Sequence, residues 1–591
     1  MKKQILLLTV LLGLGFGCVA QPGGGSSGAS TTYDFGTAIN GLWQYNSSSD
    51  VYYIVGLFYC ATPAAESYEQ MGIFVPGAYM DATANGDGTY TCTVNTTATV
   101  NGYTSATAPI VFPVNTSGYS AQSAPSGYSS SVATYTAKGF VYLWAGCRGR
   151  DHGAPLGVTD MKAAIRYFRY LKAEQQAVPG NVDLIFTFGH SGGGAQSSLL
   201  GASGNSSLYD DYMTAIGAKT GYDDNVCGSM CWCPITNLDQ GDAAYEWNMG
   251  LTRSNLGSAD QNISKGLAAE FAEYVNAIGF KHPTSGATLT LSATDNGYYQ
   301  SGSYYEYVME VINDAVTRYN TYNGASVSTY STTDATALYS FAAAHKTATK
   351  GLGAFDDYDQ KGQAENTLFG IAGTAGHFDK FLAELVQQYA SSYYSDFSAD
   401  LATSNVDAVG KTVEERLMMY SPLYYLIDND TYYNGGGSGT STVAKYWRIR
   451  TGITQGDAPL CTEIDLALAL QNRSDVTSVN FETIWNQGHT EAEDTGSATD
   501  NFISWVESCA ANHNDVNEIP YNYESLKIYP NPATGIITIE VTGDVVICNS
   551  LGQEIRRIGG VESSTTINAD DLTPGIYFVK SGNSVKKMIV E

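Results

Sequence analysis

The sequence predicts an α/β protein: a mainly parallel sheet flanked by helices, interrupted by a large, mainly helical insertion and followed by a small all-β, sandwich-like module. Three observations predict it. Between residues 139 and 200, apolar runs of strand length alternate with segments of helical spacing, as parallel sheets require. From about Asn237 to Ala444 helical stretches dominate and few strands are evident. After Pro520 the chain turns to short strands separated by turn residues.

The elements follow in order. Lys2 and Lys3 precede an apolar run from Ile5 to Phe16, and Cys18-Val19-Ala20 offers small residues before Gln21. Residues 1–20 therefore read as an export signal, too short for a stable membrane span. A lipoprotein signal at Cys18 ranks second, because Gly15 stands where leucine is wanted. The glycine- and serine-rich stretch 21–32 reads as a flexible leader. Strands are expected in VYYIVGLFYC (51–60), MGIFVPGAYM (71–80) and GFVYLWAG (139–146). The loop CRGRDHGAPLG follows, then a helix through Ala163, Ala164, Tyr167, Phe168 and Leu171, with Asp160 as its cap or first residue. Asp183 to Phe188 returns as a strand, and a glycine-rich turn leads into a helix through Ala195, Leu199 and Leu200. In the insertion, helices are expected over Ile263–Ile278, Tyr304–Tyr319, Phe378–Tyr389 and Val413–Tyr420. The sheet resumes with KYWRIRTGI (445–453), a helix TEIDLALALQNR, a strand VNFETIW and a last helix near Asn501–Ala510. Inserted there, the block 237–444 should cover the strand ends as a lid. Residues 33–515 then form the main domain, 516–525 a linker, and 526–591 the β module.

The 58 acidic and 30 basic residues leave a net charge of -28. Such a surface repels phosphate backbones, excludes nucleic acid as a partner and suits an exported protein. Ten cysteines include one close group, Cys227, Cys231 and Cys233. A zinc site would need a second cluster, so a disulfide within this group, or to Cys147 or Cys461, is expected, with no metal and no cofactor. DATANGDG (81–88) reads as a hairpin turn, and the acids of DQGDAAYEW (239–247) as a solvated or capping face.

The stretch LIFTFGHSGGGAQSS (184–198) carries the chemistry. A G-x-S-x-G between a strand and a helix forms a nucleophile elbow, which lifts the serine hydroxyl above the sheet at a helix N-terminus. The same pattern at Gly24–Gly28 lacks that context. A serine needs a base and an orienting acid, in chain order Ser, acid, His for the α/β-hydrolase fold. His489 is the histidine in a loop directly after a late strand, and Asp457 is the acid in the loop after WRIRTGI. The expected triad is Ser191, Asp457 and His489. The oxyanion hole is expected from the backbone N–H groups of Gly192 and Cys147, the latter in the loop after GFVYLWAG. Arg148, Arg150 and His152 share that loop, as substrate contacts or as salt-bridged structural residues.

The blocks DMKAAIRYFRYLK, FGHSGGGAQSSLLGASG, WCPITNLDQGDAAYEWNMG, KGLGAFDDYDQKGQAENTLFG, WRIRTGITQGD and WNQGHT together resemble bacterial subtype B tannases and related tannase/feruloyl-esterase-like α/β hydrolases over residues 33–515. The resemblance implies cofactor-free hydrolysis of a small-molecule, plant-derived ester of an aromatic acid. It also implies that Lys350 and Glu365 bind hydroxyls of a galloyl-like group. The family carries two aspartates close together in the acid loop. This chain has Gln455 and Asp457, so one role, triad acid or galloyl contact, is missing or shared. YPNPATG, SLGQEI, DLTPGIYFVK and VKKMIVE are similar to the C-terminal sorting domains of the Bacteroidetes type IX secretion system. That implies the secretion machinery as a partner and a secreted or outer-surface location, reached through the periplasm. A serine peptidase on the same fold, or a surface binding protein on a decayed hydrolase scaffold, are the competing functions.

Overall fold

The computed structural model describes residues 32–590 except 347–349, 429–431, 434–436, 438, 517–525, 542, 550–553, 562 and 582–583. The export signal, the leader up to residue 31 and the linker from 517 lie outside the described residues. The chain divides into two compact units, Met1–Cys509 and Ala510–Glu591.

The first unit is built on a nine-stranded sheet: β1 (Gln44–Asn46), β2 (Val51–Phe58), β3 (Gln70–Pro76), β4 (Ile110–Val114), β5 (Val141–Ala145), β6 (Ile185–His190), β7 (Gly228–Trp232), β8 (Tyr446–Gly452) and β9 (Ser478–Ile484). Their spatial order is β1-β2-β3-β5-β4-β6-β7-β8-β9. The first three strands run antiparallel to their neighbours, and all pairs from β5 to β9 are parallel. Strands β4, β7 and β8 are buried along their whole length, so their sequences are continuous rather than alternating. The two arginines of β8 survive this burial through acceptors: Arg448 makes paired 2.6 Å bonds to Glu493, and Arg450 reaches Glu482 at 2.8 Å.

Helix α1 (Leu156–Tyr170) follows β5, and α2 (Gly192–Ala202) follows β6. Asp160 neither caps nor begins α1. It lies inside the helix, fully buried, with its carboxylate taken by the backbone N–H of Arg148 at 2.8 Å and its guanidinium at 2.6 Å. Between β7 and β8 come α3 (Gly241–Met249), α4 (Ser258–Ile278), α5 (Ser303–Asn323), α6 (Ala337–His345), α7 (Ala364–Phe369), α8 (Lys380–Tyr389) and α9 (Val413–Met419). Their apolar faces join the same core as the sheet, through Phe271, Tyr304, Phe341 and Leu382 among others. The acids of DQGDAAYEW are not solvated. α3 is buried along its length, Asp242 accepts the N–H groups of Phe355 at 2.7 Å and Asp356 at 3.1 Å, and Glu246 pairs with Arg253. Helical spacing cannot distinguish water from a neighbouring loop as the partner of a polar stripe. The 81–88 hairpin is present, pairing Met80–Ala84 with Tyr90–Val94.

The expected disulfides do not form. Cys147, Cys231, Cys233 and Cys461 are free and buried, as are Cys60, Cys92, Cys509 and Cys548. Each of the first group has its own place in the core: the Cys461 thiol donates to Ala244 O at 3.4 Å, and Cys233 Sγ accepts the N–H of Gly452 at 3.3 Å.

The second unit holds a three-stranded antiparallel sheet (Lys527–Tyr529, Ile536–Glu540, Ser564–Asn568) and a four-stranded one (Glu554–Val561, Gly543–Asn549, Gly575–Ser581, Ser584–Val590). Ile537 and Ile539 from one sheet share a core with Val545, Ile547 and Val579 from the other, so the module is a small sandwich.

A β-carbon on Gly193 would stand 2.1 Å from the carbonyl oxygen of Val114. Gly193→Ala should therefore push α2 off β4 and cost about 2 kcal/mol of stability, read as a lowered melting temperature. An unchanged melting temperature would show that this approach is not tight.

Candidate active site

Strand β6 ends at His190, and the chain turns sharply through Ser191 into α2. Ser191 has φ 61° and ψ −125°, a backbone region that side-chain-bearing residues rarely enter. Two contacts hold it there. Its N–H donates to Trp232 O on β7 at 2.9 Å, and its carbonyl accepts the N–H of Ala195 at 3.0 Å. The turn closes only because Gly189 and Gly193 lack side chains: a β-carbon on Gly189 would meet Gly193 O at 2.4 Å.

His489 lies in the loop after β9, and this loop is tied down. Gln487 O accepts from the Thr454 N–H at 2.9 Å, and Gln487 Nε2 donates to Glu493 O at 2.6 Å. Gly452 at the end of β8 allows the approach, because a β-carbon there would lie 1.9 Å from Gly488 O. The result brings residues 298 positions apart into contact: His489 Nε2 is 2.8 Å from Ser191 Oγ.

The third partner differs from the expected one. His489 Nδ1 is 2.6 Å from Oε1 of Gln455, not from Asp457. An amide oxygen only accepts, so Nδ1 carries the proton and Nε2 is left to accept from the serine hydroxyl. Asp457 is two residues further along the same loop, half-buried and not bonded to the imidazole. Its charge still reaches His489 and the lid carboxylate of Glu365. Sequence order alone could not choose between Gln455 and Asp457, because the requirement for an acid removes glutamine in advance.

Burial holds the His489 imidazole below its ordinary value of 6.5, with Lys350 adding to the depression and Asp457 opposing it. Burial, together with His489, pushes neighbouring His190 down to about 4. His190, Cys233 and His489 hold possible ligand atoms within 4.8 Å of one another. Both nitrogens of His489 are already engaged, by Ser191 and Gln455.

Gly192 stands at the start of α2, as expected for an oxyanion donor. Cys147 does not fit that role. Its N–H donates to Gln122 O at 2.9 Å, and β4 separates β5 from the elbow strand β6. The loop beside the elbow is instead the one after β4. A β-carbon on Gly192 would lie 2.6 Å from Tyr119 N and 3.1 Å from Gly118 N. The sequence does not reveal this loop, because IVFPV is a short run containing Pro113 and its place between β5 and β6 is set by tertiary pairing.

Arg148 is structural, paired with Asp160 and 3.6 Å from Glu69. Arg150 Nη1 donates to Gly118 O at 2.5 Å, and His152 pairs with Asp151 at 3.1 Å. From the helical insertion, Lys350 Nζ lies 3.8 Å from Glu365 Oε2 and 4.2 Å from the centre of the Phe355 ring. Glu365 is 2% exposed, its Oε2 accepts no hydrogen bond among the described residues, and burial raises its pKa. Tyr245 OH donates to Gly456 O at 2.7 Å, which fastens α3 to the acid loop.

A strained serine between strand and helix, facing a histidine from a late-strand loop of this sheet, defines an α/β hydrolase. The solved structures it is similar to narrow the class. The tannin acyl hydrolase of Lactobacillus plantarum aligns at 27% identity with a TM-score of 0.60, covering 78% of this chain and 94% of that one. The tannase of Fusobacterium nucleatum aligns at 29% with a TM-score of 0.61, covering 78% and 95%. A tannin acyl hydrolase in complex with ethyl gallate aligns at 28%, with a TM-score of 0.60 and coverages of 78% and 94%. The chain is thus a tannase-like hydrolase of the carboxylic-ester class. No curated protein matches it by sequence. Residues 527–591 match the secretion system C-terminal sorting domain family, which marks the protein as secreted or held at the cell surface. No helix among the described residues is long and apolar enough to cross a membrane.

A base must be unprotonated to accept the serine proton, and a lowered pKa keeps it so to lower pH. The acid limb of kcat/KM should therefore fall with a midpoint below 6.5. A midpoint at or above that value would contradict the burial of His489.

Proposed function

We propose that the protein is a secreted serine esterase for small, plant-derived esters of hydroxylated aromatic acids, working through an acyl-enzyme on Ser191. The observation that carries this reading is the 2.8 Å contact between Ser191 Oγ and His489 Nε2 at a strained elbow. His489 takes the hydroxyl proton as Oγ attacks the ester carbonyl carbon. The oxyanion that forms is held by the Gly192 N–H and by an N–H of the 117–119 turn. His489 then gives its proton to the departing alcohol. Water, activated by the same nitrogen, releases the acid and restores the serine.

Specificity is assigned to the lid. Lys350 and Asp457 lie within electrostatic reach of the imidazole, and both also reach Glu365. Among the described residues the buried Oε2 of Glu365 accepts no hydrogen bond, which suits a phenolic hydroxyl. With Gln455 at the imidazole, Asp457 is free to contact substrate. A site built this way discriminates against analogues without hydroxyls, because its own polar groups are then left unpaired. Export begins with the signal over residues 1–20 and continues from the periplasm through the type IX machinery, which reads the C-terminal module.

Ser191→Ala should abolish turnover of methyl gallate without lowering the melting temperature. Lys350→Ala and Glu365→Ala should each cut kcat/KM for methyl gallate about tenfold or more, at 1.4 kcal/mol per decade, and leave a simple acetate ester nearly unaffected. Equal losses on both esters with a lowered melting temperature would identify Lys350 and Glu365 as a structural pair. Full turnover by folded Ser191→Ala would refute the mechanism.

A chain ending at Val516 should keep its esterase activity when made in a heterologous cytoplasm and accumulate in the periplasm of the native host. Normal export of that chain would refute the sorting role of the module.

A further inference from the structure

The partner of His489 Nδ1 is an amide, which carries no charge and has two ends. Turned one way, its oxygen accepts the Nδ1 proton. Turned the other way, its NH2 group would donate to Nδ1, the imidazole proton would move to Nε2, and Nε2 could no longer accept from Ser191. Something must select the first orientation, and the residues behind Gln455 do so. Gln455 Nε2 donates to Thr451 Oγ1 at 2.6 Å and to Glu463 Oε1 at 2.8 Å. The Thr451 hydroxyl donates to the same Glu463 oxygen at 2.8 Å. Gln455 is 3% exposed, and Thr451 and Glu463 are fully buried. Every donor in the series therefore points away from Ser191: Oγ–H to Nε2, Nδ1–H to Oε1, Nε2–H to Glu463.

Glu463 sits in the first turn of the helix Leu460–Gln471, where the helix dipole favours an anion. Its surroundings come from several elements. Lys346, just beyond α6, donates to Ile453 O at 3.3 Å and lends Glu463 its positive charge. Cys233, just beyond β7, Cys461, on the same helix as Glu463, and Asp457, in the acid loop, also act on Lys346, and His489 faces Gln455. Burial pushes Glu463 up, while Thr451, Lys346 and Gln455 hold it down toward its charged form. The second carboxylate oxygen, Oε2, accepts no hydrogen bond among the described residues, so the bonded oxygen serves this one network.

We propose that Glu463 is a positioning residue of the esterase: through Gln455 and Thr451 it fixes the amide with its oxygen on His489 and supplies, one residue removed, the negative charge that the direct partner of the imidazole lacks. The inference rests on Ser191 being the nucleophile, and the test separates the two. The rate at which a fluorophosphonate labels Ser191, followed by mass spectrometry, reports nucleophile reactivity whatever the natural ester. It is compared with kcat and KM on methyl gallate for the wild-type chain, for Glu463→Gln, and for the isosteric exchange Gln455→Glu/Glu463→Gln.

Glu463→Gln should slow labelling and kcat about tenfold, leave KM within about twofold, and keep the melting temperature. Its acid limb should move to lower pH, because a lost negative charge destabilises the imidazolium. The exchange returns the charge directly to the imidazole, so rates should recover and the acid limb should move above that of the wild type. Unchanged labelling, kcat and pH profile in Glu463→Gln would overturn the proposal. So would a loss accompanied by a lowered melting temperature that the exchange fails to restore. If wild-type Ser191 is not labelled at all, the nucleophile assignment falls, and this inference with it.

Discussion

Everything at the site depends on one strained turn. Ser191 adopts a backbone conformation that costs energy, and the sheet supplies the restraint. β7 accepts its N–H, β4 presses on Gly193, and the loop after β4 crosses Gly192. The close approach that forbids side chains at these glycines also brings backbone N–H groups to the mouth of α2. Strain, glycine content and anion-binding capacity are thus consequences of the same packing. The helical insertion adds to this frame without creating it, because Ser191 and His489 are both held by elements of the sheet and its loops.

Much of this was legible in the sequence. Strand–elbow–helix order singles out Ser191 and a histidine directly after a late strand singles out His489, and the structure brings the two 2.8 Å apart. The long amphipathic helices of the insertion, such as Ser258–Ile278 and Ser303–Asn323, announced themselves by spacing. What stayed hidden depended on neighbours distant in the chain. Which loop faces the elbow follows from β4 lying between β5 and β6, an order that local pattern does not encode. Hence the placement of an oxyanion donor at Cys147, whose N–H is committed to Gln122. Asp242 and Asp160 looked like surface or capping acids, yet each accepts bonds from a segment that chemistry alone could not place beside it.

The substitution of an amide for an acid at the imidazole is the point at which family resemblance and physics diverge. A carboxylate both orients a histidine and stabilises its charged form. Gln455, held by Thr451 and Glu463, performs the first task. For the second, the surroundings offer the charge of Asp457 in the same loop and Glu463 behind the amide. Dividing one residue's duties leaves a carboxylate near the lid for other contacts, so specificity and base strength need not be tuned by the same atom.

The buried thiols have a consequence for where the chain can be made. Disulfides form and persist in an oxidising exterior, yet Cys60, Cys92, Cys147, Cys231, Cys233, Cys461, Cys509 and Cys548 are free thiols buried in the structure. For these positions the native state is the same in a reducing cytosol and in an oxidising envelope, and reaching it requires no thiol oxidase or isomerase. Oxidants reach these sulfurs only after the surrounding structure opens, so redox damage to them would track local unfolding rather than the oxidant level outside.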